Sequence, residues 1–352
     1  MKLTDFPTPF PAVDLDVMGA NIGRVQVYFD KIGKSFRPHV KTHKNIAIGR
    51  VQIEAGARGI NCQKLSEAKV FADAGFGDIL VTYNIVGLDK LAALSSLANE
   101  TKASVVADSV EVVAGLAQSF TRARPLTVLV ECDTGGGRCG VQTPAEALAL
   151  AQAIDKAPGL DFGGILTYPA ANGEEKTEVF FAETKRLIDS AGLDCRIASS
   201  AGSPSLYKAH LVPSANEYRA GTYVFNDRSM IRAGHCTLDQ VALRVVATVV
   251  SRPTGDRAVL DAGSKSLTSD LLGFKDYGLL PDYPEARIAS LTEEHAVVDL
   301  SAVSGARPKI GERVEIVPNH VCVVVNMFDE LVGHRRGGDA ERMKVAARGM
   351  VR

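Results

Sequence analysis

The chain has little excess charge of either sign. Its 352 residues carry 40 Lys and Arg against 41 Asp and Glu, a net charge of −1. No basic surplus points to nucleic acid, and no acidic tail points to a charged partner. The six cysteines (Cys62, Cys132, Cys139, Cys195, Cys236, Cys322) form no CxxC pair and no dense framework. A disulfide scaffold is thereby excluded, and a reducing, cytoplasmic setting is the simplest expectation. No apolar run reaches the length of a membrane span, and the opening "MKLTDFPTPF" does not read as a signal peptide.

What is present is a mixed globular composition, 46% hydrophobic and 23% charged, long enough for one large domain and a smaller one. Short β-rich runs alternate with helical ones. The strands expected are "SFRPHVK" (35–41), "GINCQ" (59–63), "DILVTY" (78–83), "SVVAD" (104–108), "LTVLVECD" (126–133), "FGGILTYP" (162–169), "RIASSA" (196–201) and "NEYRAGTY" (216–223). Between them lie helix candidates such as "KLSEAKVFADAG", where Leu65, Ala68, Val70 and Phe71 could share a face, "PAEALALAQAID" and "EVFFAETKRLIDSAG". Repeated β-then-α units require parallel strands with helical crossovers. The α/β class follows. A (β/α)8 TIM-type barrel fits better than the alternative, an open doubly wound sheet.

Near Gly234 the pattern changes to strands alone: "DQVALRVVATVVSRP", "RAVLDAGS", "EEHAVVDLS", "RVEIVPNHVCVVVN" and "ELVGHRRG". The expected organisation is therefore a barrel over residues 13–234 and a C-terminal all-β domain over 235–352. Residues 1–12, with "TPFPAVDLD", are expected to lend that domain a strand.

In such barrels chemistry gathers at the C-terminal ends of the strands. The first strand ends in "RPHVKTHKN", and a desolvated lysine there is suited to forming a Schiff base. A basic surface loop is the plainer alternative. The later strands end in "ECDTGGGRCG", "TYPAANG", "SSAGSPS" and "YRAGTYVFND". Gly- and Ser-rich turns after the last strands commonly cradle phosphate through backbone N–H groups. A reactive lysine with a phosphate cradle suggests pyridoxal 5'-phosphate (PLP).

With "RPHVKTHK", "DTGGGRCGV", "AGSPS", "RAGTYVFND", "LDAGSKSLTSD" and "VPNHVCVVVN", the chain resembles the fold-type III PLP enzymes of the D-threonine aldolase and D-serine dehydratase group, which carry an alanine-racemase-like barrel. The resemblance spans nearly the whole chain. It implies a homodimer in which Lys41 carries the cofactor and Lys44 is only its neighbour. It implies Tyr168 beside the cofactor ring, Ser203 on the phosphate, and Gly221 with Thr222 completing the cradle. Thr222 stands where Asn is common, which leaves only a backbone contact secure. Tyr223 is a further phosphate contact, and Arg138 reaches the phenolic oxygen. The plainer alternatives are an ion pair ordering the loop for Arg138, a core tyrosine for Tyr168, and a helix start at Ser203-Pro204.

The second chemical signal is "PNHVC". In an extended strand His320 and Cys322 project to one face, half of a zinc site. The resemblance implies a divalent metal here, and the cysteine favours Zn2+ over Mn2+ or Mg2+. The substrates implied are D-β-hydroxy-amino acids. Retro-aldol cleavage to glycine and an aldehyde leads, with His43 or His39 as the hydroxyl base. Elimination to ammonia and a 2-oxo acid, as in D-serine or D-3-hydroxyaspartate dehydratases, is the alternative. Amino-acid racemisation and non-catalytic PLP binding stand further off.

Overall fold

A computed structural model describes residues 1–352. The chain forms two compact units. One comprises Met1–Arg24, Thr42–Asn45 and Thr222–Gly349; the other comprises Val25–Lys41, Ile46–Gly221 and Met350–Arg352. The chain passes between them at 24/25, 41/42, 45/46, 221/222 and 349/350. Composition alone does not register such crossings. The helix Leu15–Lys31 runs through the first of them without a break.

The second unit holds eight parallel strands: Ser35–Pro38, Ile60–Cys62, Asp78–Asn84, Lys102–Ala107, Leu126–Cys132, Leu160–Thr167, Ile197–Ala201 and Glu217–Ala220. They are the eight runs expected from the sequence. In the sheet the first strand pairs with the eighth, and the rest follow in chain order to the second. A single bridge, His39 to Asn61, joins the first strand to the second and nearly closes the barrel.

Local chemistry explains the crossover helices. Pro144–Lys156 begins with a capping box, in which Thr143 accepts from the Glu146 amide, and has Pro144 in its first turn. In Leu65–Asp73 the buried face is Leu65, Glu67, Ala68 and Phe71. Val70, expected on that face, is only half-buried, while Glu67 turns inward and accepts the Gln63 amide at 2.7 Å.

The barrel interior holds a polar layer beside an apolar one of Leu80, Val106, Leu129 and Leu166. Arg219, on the eighth strand, donates to Ser199 Oγ (3.0 Å), to the Thr167 carbonyl (2.6 Å) and to Asn61 Oδ1 (3.4 Å). Asn61 and Thr167 lie on strands that do not neighbour the eighth, so this side chain spans the lumen. Arg37 pairs with Glu217 at 3.1 Å and Asp78 at 2.6 Å, and its side chain is 3% exposed. Burial works against the Arg37 charge, but the two carboxylates outweigh it and raise the pKa.

The other unit is an eight-stranded sheet. Its long strand Leu243–Thr254 pairs antiparallel with Phe10–Asp14, Arg257–Leu260 and Arg313–Ile316. Phe10–Asp14 also pairs in parallel with Glu330–His334, so the N-terminal segment supplies an internal strand. Phe6, Phe10, Ala12, Val246, Val332 and Ala340 form a core against it.

One expected strand is not there. "RVEIVPNHVCVVVN" is extended only over Arg313–Ile316, and Val321–Met327 is helical. Pro318 has no N–H to give a ladder. The buried Val321, Val324 and Val325 recur at helical spacing, and tertiary burial overrides the β-propensity of four valines.

Arg37→Met should leave Glu217 buried without its partner and cost about 3–5 kcal/mol. Arg37→Met combined with Glu217→Leu should cost much less. Urea unfolding of both variants measures the difference. Equal losses would show that the pair is not what the barrel depends on here.

Candidate active site

On the barrel's C-terminal rim, Lys41 sits in the 3-10 turn Val40–Thr42 that follows the first strand. His39 fixes that turn. Its Nδ1 accepts the Lys41 amide (3.4 Å) and its Nε2 lies 3.1 Å from Gln63 Oε1. Lys44 is 6% exposed, has φ +48°, and points its Nζ at the Ala347 carbonyl, 3.3 Å away. His43 is fully buried, with Nδ1 accepting the Asn45 amide at 3.1 Å.

When Nδ1 accepts a backbone N–H, the neutral ring carries its proton on Nε2. Both His39 and His43 are held this way, His39 by the Lys41 amide and His43 by the Asn45 amide. The sequence shows two histidines near a lysine but not which nitrogen of each is engaged.

Tyr168 follows the sixth strand and is 45% exposed, with the Arg138 guanidinium 4.7 Å from its ring centroid. Arg138, after the fifth strand, also lies 3.9 Å from Glu131. The glycine run before Arg138 has a packing reason. A Cβ at Gly136 would fall 2.6 Å from the Tyr168 carbonyl, and one at Gly140 would fall 2.5 Å from the Asp133 amide nitrogen. These glycines let the loop lie under Tyr168 and fold back on its own strand.

Glu131 and Arg219 were missed in the sequence. Each is a charged residue in a strand otherwise read for its apolar positions, and that was the available signal. Burial raises the Glu131 carboxyl above its ordinary range, partly offset by Arg138 and Arg219. Burial likewise lowers Arg219 to about 10, against the pull of Glu217 and Glu131.

Ser203 opens the 3-10 segment Ser203–Leu211, preceded by Gly202 at φ +121°. A Cβ at Gly202 would meet only the Tyr218 hydroxyl within 4 Å, at 3.9 Å, so its backbone faces open space. Gly221 follows the eighth strand in this unit, while Thr222 and Tyr223 begin the 3-10 turn Thr222–Val224 of the other. A lysine amine, an aromatic ring with a guanidinium beside it, and an open Gly-Ser turn on strand ends form a donor set that fits a phosphorylated pyridine aldehyde.

In the other unit His320 and Cys322 do meet, but not as neighbours on a strand. His320 is the N-cap of the helix Val321–Met327 and Cys322 lies in its first turn. The segment is clasped from both sides. Asp227 accepts the Val321 amide at 3.0 Å. Arg228 pairs with Asp276, donates to Asn319 Oδ1 (3.2 Å), and gives its amide to the Pro318 carbonyl (3.1 Å). The "FND" of "YVFNDRS" thus leads directly into the clasp.

Cys322 Sγ lies 3.1 Å from Thr42 Oγ1 and 3.8 Å from Thr222 Oγ1. His320 Nδ1 lies 3.0 Å from Asp270 Oδ2. Burial opposes a proton on His320. The hydrogen bond and charge of Cys322, with Asp270 and Asp227, outweigh that and push its pKa up to about 9. No cluster of three or more His, Cys, Asp and Glu gathers anywhere. The imidazole and the thiol are two donors of the kind a divalent ion takes.

Two family models match the chain: "Alanine racemase, N-terminal domain" over residues 13–229 and "Putative serine dehydratase domain" over residues 242–334. A D-threonine aldolase of Arthrobacter sp. is 34% identical, with 98% of this chain and 93% of that protein covered. A D-threo-3-hydroxyaspartate dehydratase of Delftia sp. is 31% identical, with 93% of each covered. The crystal structure of D-threonine aldolase from Filomicrobium marinum superposes with a TM-score of 0.90 at 31% identity, covering 99% of this chain and 98% of that one. A cysteine-to-alanine variant of a D-threo-3-hydroxyaspartate dehydratase, described as a metal-free form, superposes over 98% of each chain with a TM-score of 0.87 at 27% identity.

A ligating imidazole is neutral and a ligating sulphur is a thiolate, so a divalent ion entering the pair displaces protons. Zn2+ affinity of chelator-treated protein should therefore rise with pH. Titration against a chromogenic chelator at several pH values measures this, and a flat profile would contradict it.

Proposed function

Because this chain belongs to the fold-type III PLP enzymes of the D-threonine aldolase and D-serine dehydratase family, we propose that it is a PLP- and divalent-metal-dependent lyase of D-β-hydroxy-amino acids. Its reaction is retro-aldol cleavage to glycine and an aldehyde. We propose that it works as a homodimer in the cytoplasm; the free thiols at all six cysteines suit that compartment. No helix is long and apolar enough to cross a membrane.

The observation that carries the reading is the thiol-imidazole pair of His320 and Cys322 in a chain whose first barrel strand is followed by a turn bearing Lys41. Lys41 would hold the cofactor by its amine. Arg138 and Tyr168 would orient the ring, and Ser203, Gly221, Thr222 and Tyr223 would bind the phosphate. PLP supplies, when bound, a sink for the electron pair released at the α-carbon. Cys322 Sγ and His320 Nε2 would be the protein's two donors to a divalent ion, which supplies Lewis-acid polarisation of the substrate hydroxyl. His39 holds the Lys41 turn through its bond to the Lys41 amide. The hydroxyl base expected of His39 or His43 stays a proposal.

One observation favours elimination as a second reading. Cys322 is a soft ligand that selects Zn2+, an ion suited to activating a leaving hydroxyl. In that case the Lys41 amine, once free, takes the α-proton, the hydroxyl departs, and ammonia and a 2-oxo acid result.

Product analysis separates the two. D-Threonine, D-phenylserine, D-serine and D-3-hydroxyaspartate are each incubated with the protein, with and without chelator. Glycine plus aldehyde is expected; ammonia plus a 2-oxo acid identifies the dehydratase, and no turnover of any of them overturns both. His320→Ala should lower turnover by roughly a hundredfold or more and keep its PLP.

Lys41 directly follows "RPHV" in the motif that carries the family resemblance, so it is the expected attachment point. Lys41→Ala should lose the absorbance of lysine-bound pyridoxal, and Lys44→Ala should retain it. Borohydride reduction with peptide mapping decides the matter; a pyridoxyl group on Lys44 reverses the assignment.

A further inference from the structure

His320 differs from His39 and His43 in what meets its Nδ1. Those two accept a backbone N–H there, whereas Asp270 Oδ2 lies 3.0 Å from Nδ1 of His320. We infer that Asp270 is a positioning residue that fixes the tautomer and ring orientation of His320, presenting an Nε2 lone pair for metal ligation; this rests on the reading of His320 and Cys322 as a metal pair.

The chemistry is that of an acceptor behind a ligating imidazole. A carboxylate cannot donate, so the neutral ring must place its proton on Nδ1 and leave the lone pair on Nε2. His39 and His43 have the opposite arrangement, with Nε2 carrying the proton.

The backbone beneath Asp270 is built to hold it. Thr268 is buried and sits at φ +64°, a conformation costly for a β-branched residue. Its Oγ1 accepts the Asp270 amide at 3.2 Å. The short helix Ser264–Leu267, whose first amide donates to the Thr292 carbonyl at 2.8 Å, feeds into this strained turn. A surface ion pair contributes little to stability, and the Asp270 side chain is 44% exposed. Its value lies in where it puts the ring.

The test uses PLP-loaded, chelator-stripped protein and Zn2+ alone, with affinity read by competition against a chromogenic chelator. Asp270→Ala should weaken Zn2+ binding by roughly ten- to a hundredfold, with the PLP absorbance and thermal midpoint unchanged. Asp270→Asn keeps an acceptor oxygen at the same reach and should recover most of that affinity. Should Asp270→Ala perturb the fold, Asp270→Leu in the same assay provides a second apolar variant. Zn2+ affinity within twofold of wild type in a folded apolar variant, while His320→Ala loses the ion, overturns the role of Asp270 and leaves the metal pair standing. Retention of Zn2+ by His320→Ala overturns the metal pair itself.

Discussion

A guanidinium buried inside the barrel organises the unit around it. Arg219 reaches from the eighth strand to the second, sixth and seventh. A charge so far from water must be satisfied on every side, and this one has Ser199, the Thr167 carbonyl and Asn61. The residue after Thr167 is Tyr168, and Gly202 gives its amide to the Arg219 carbonyl. The strand ends that bear the candidate cofactor groups are therefore tied to a bonded layer, which lies beside the apolar cluster of Leu80, Val106, Leu129 and Leu166. Arg37, Glu217 and Asp78 add a second buried charge network to the same barrel.

The β unit answers a different need. A helix of seven residues begins at the candidate metal pair, and its orientation cannot come from length. It comes from Asp227 on the Val321 amide and from Arg228, which joins Asp276 to Asn319. Burial raises the Asp227 carboxyl, opposed by its bonds to Ser229 and Val321 and by the charge of His320. Buried carboxylates with several donors are rigid parts, and rigidity is what a two-ligand site lacks on its own. The hydroxyl of Thr42 at Cys322 continues the same principle. Thr42 is also the residue that follows Lys41 in the chain.

Much of this was legible in the sequence. Eight short apolar runs separated by amphipathic stretches admit few arrangements, and the parallel barrel is the one that buries them all. The N-terminal segment "TPFPAVDLD" was expected to lend the β unit a strand, and Phe10–Asp14 is one. "VCVVVN" misled because four valines suit a pleated surface locally. Their helical periodicity emerges only once Val321, Val324 and Val325 have a core to face.

The candidate lysine and the His-x-Cys pair can be named from the sequence, since residue type and neighbourhood carry that chemistry. Asp270, Thr42, Glu131 and Arg219 cannot, because each acts through a partner far away in the chain. Asp270 stands 50 residues from the imidazole it accepts from, and Thr42 stands 280 from the sulphur beside it. The sequence by itself determined the eight barrel strands and the candidate reactive side chains, because periodicity and functional groups are local properties. Only the tertiary structure decided which nitrogen of each histidine is engaged, and which hydroxyls and carboxylates hold the reactive groups. Hydrogen-bond direction is set by whatever folding brings within about 3 Å of each atom.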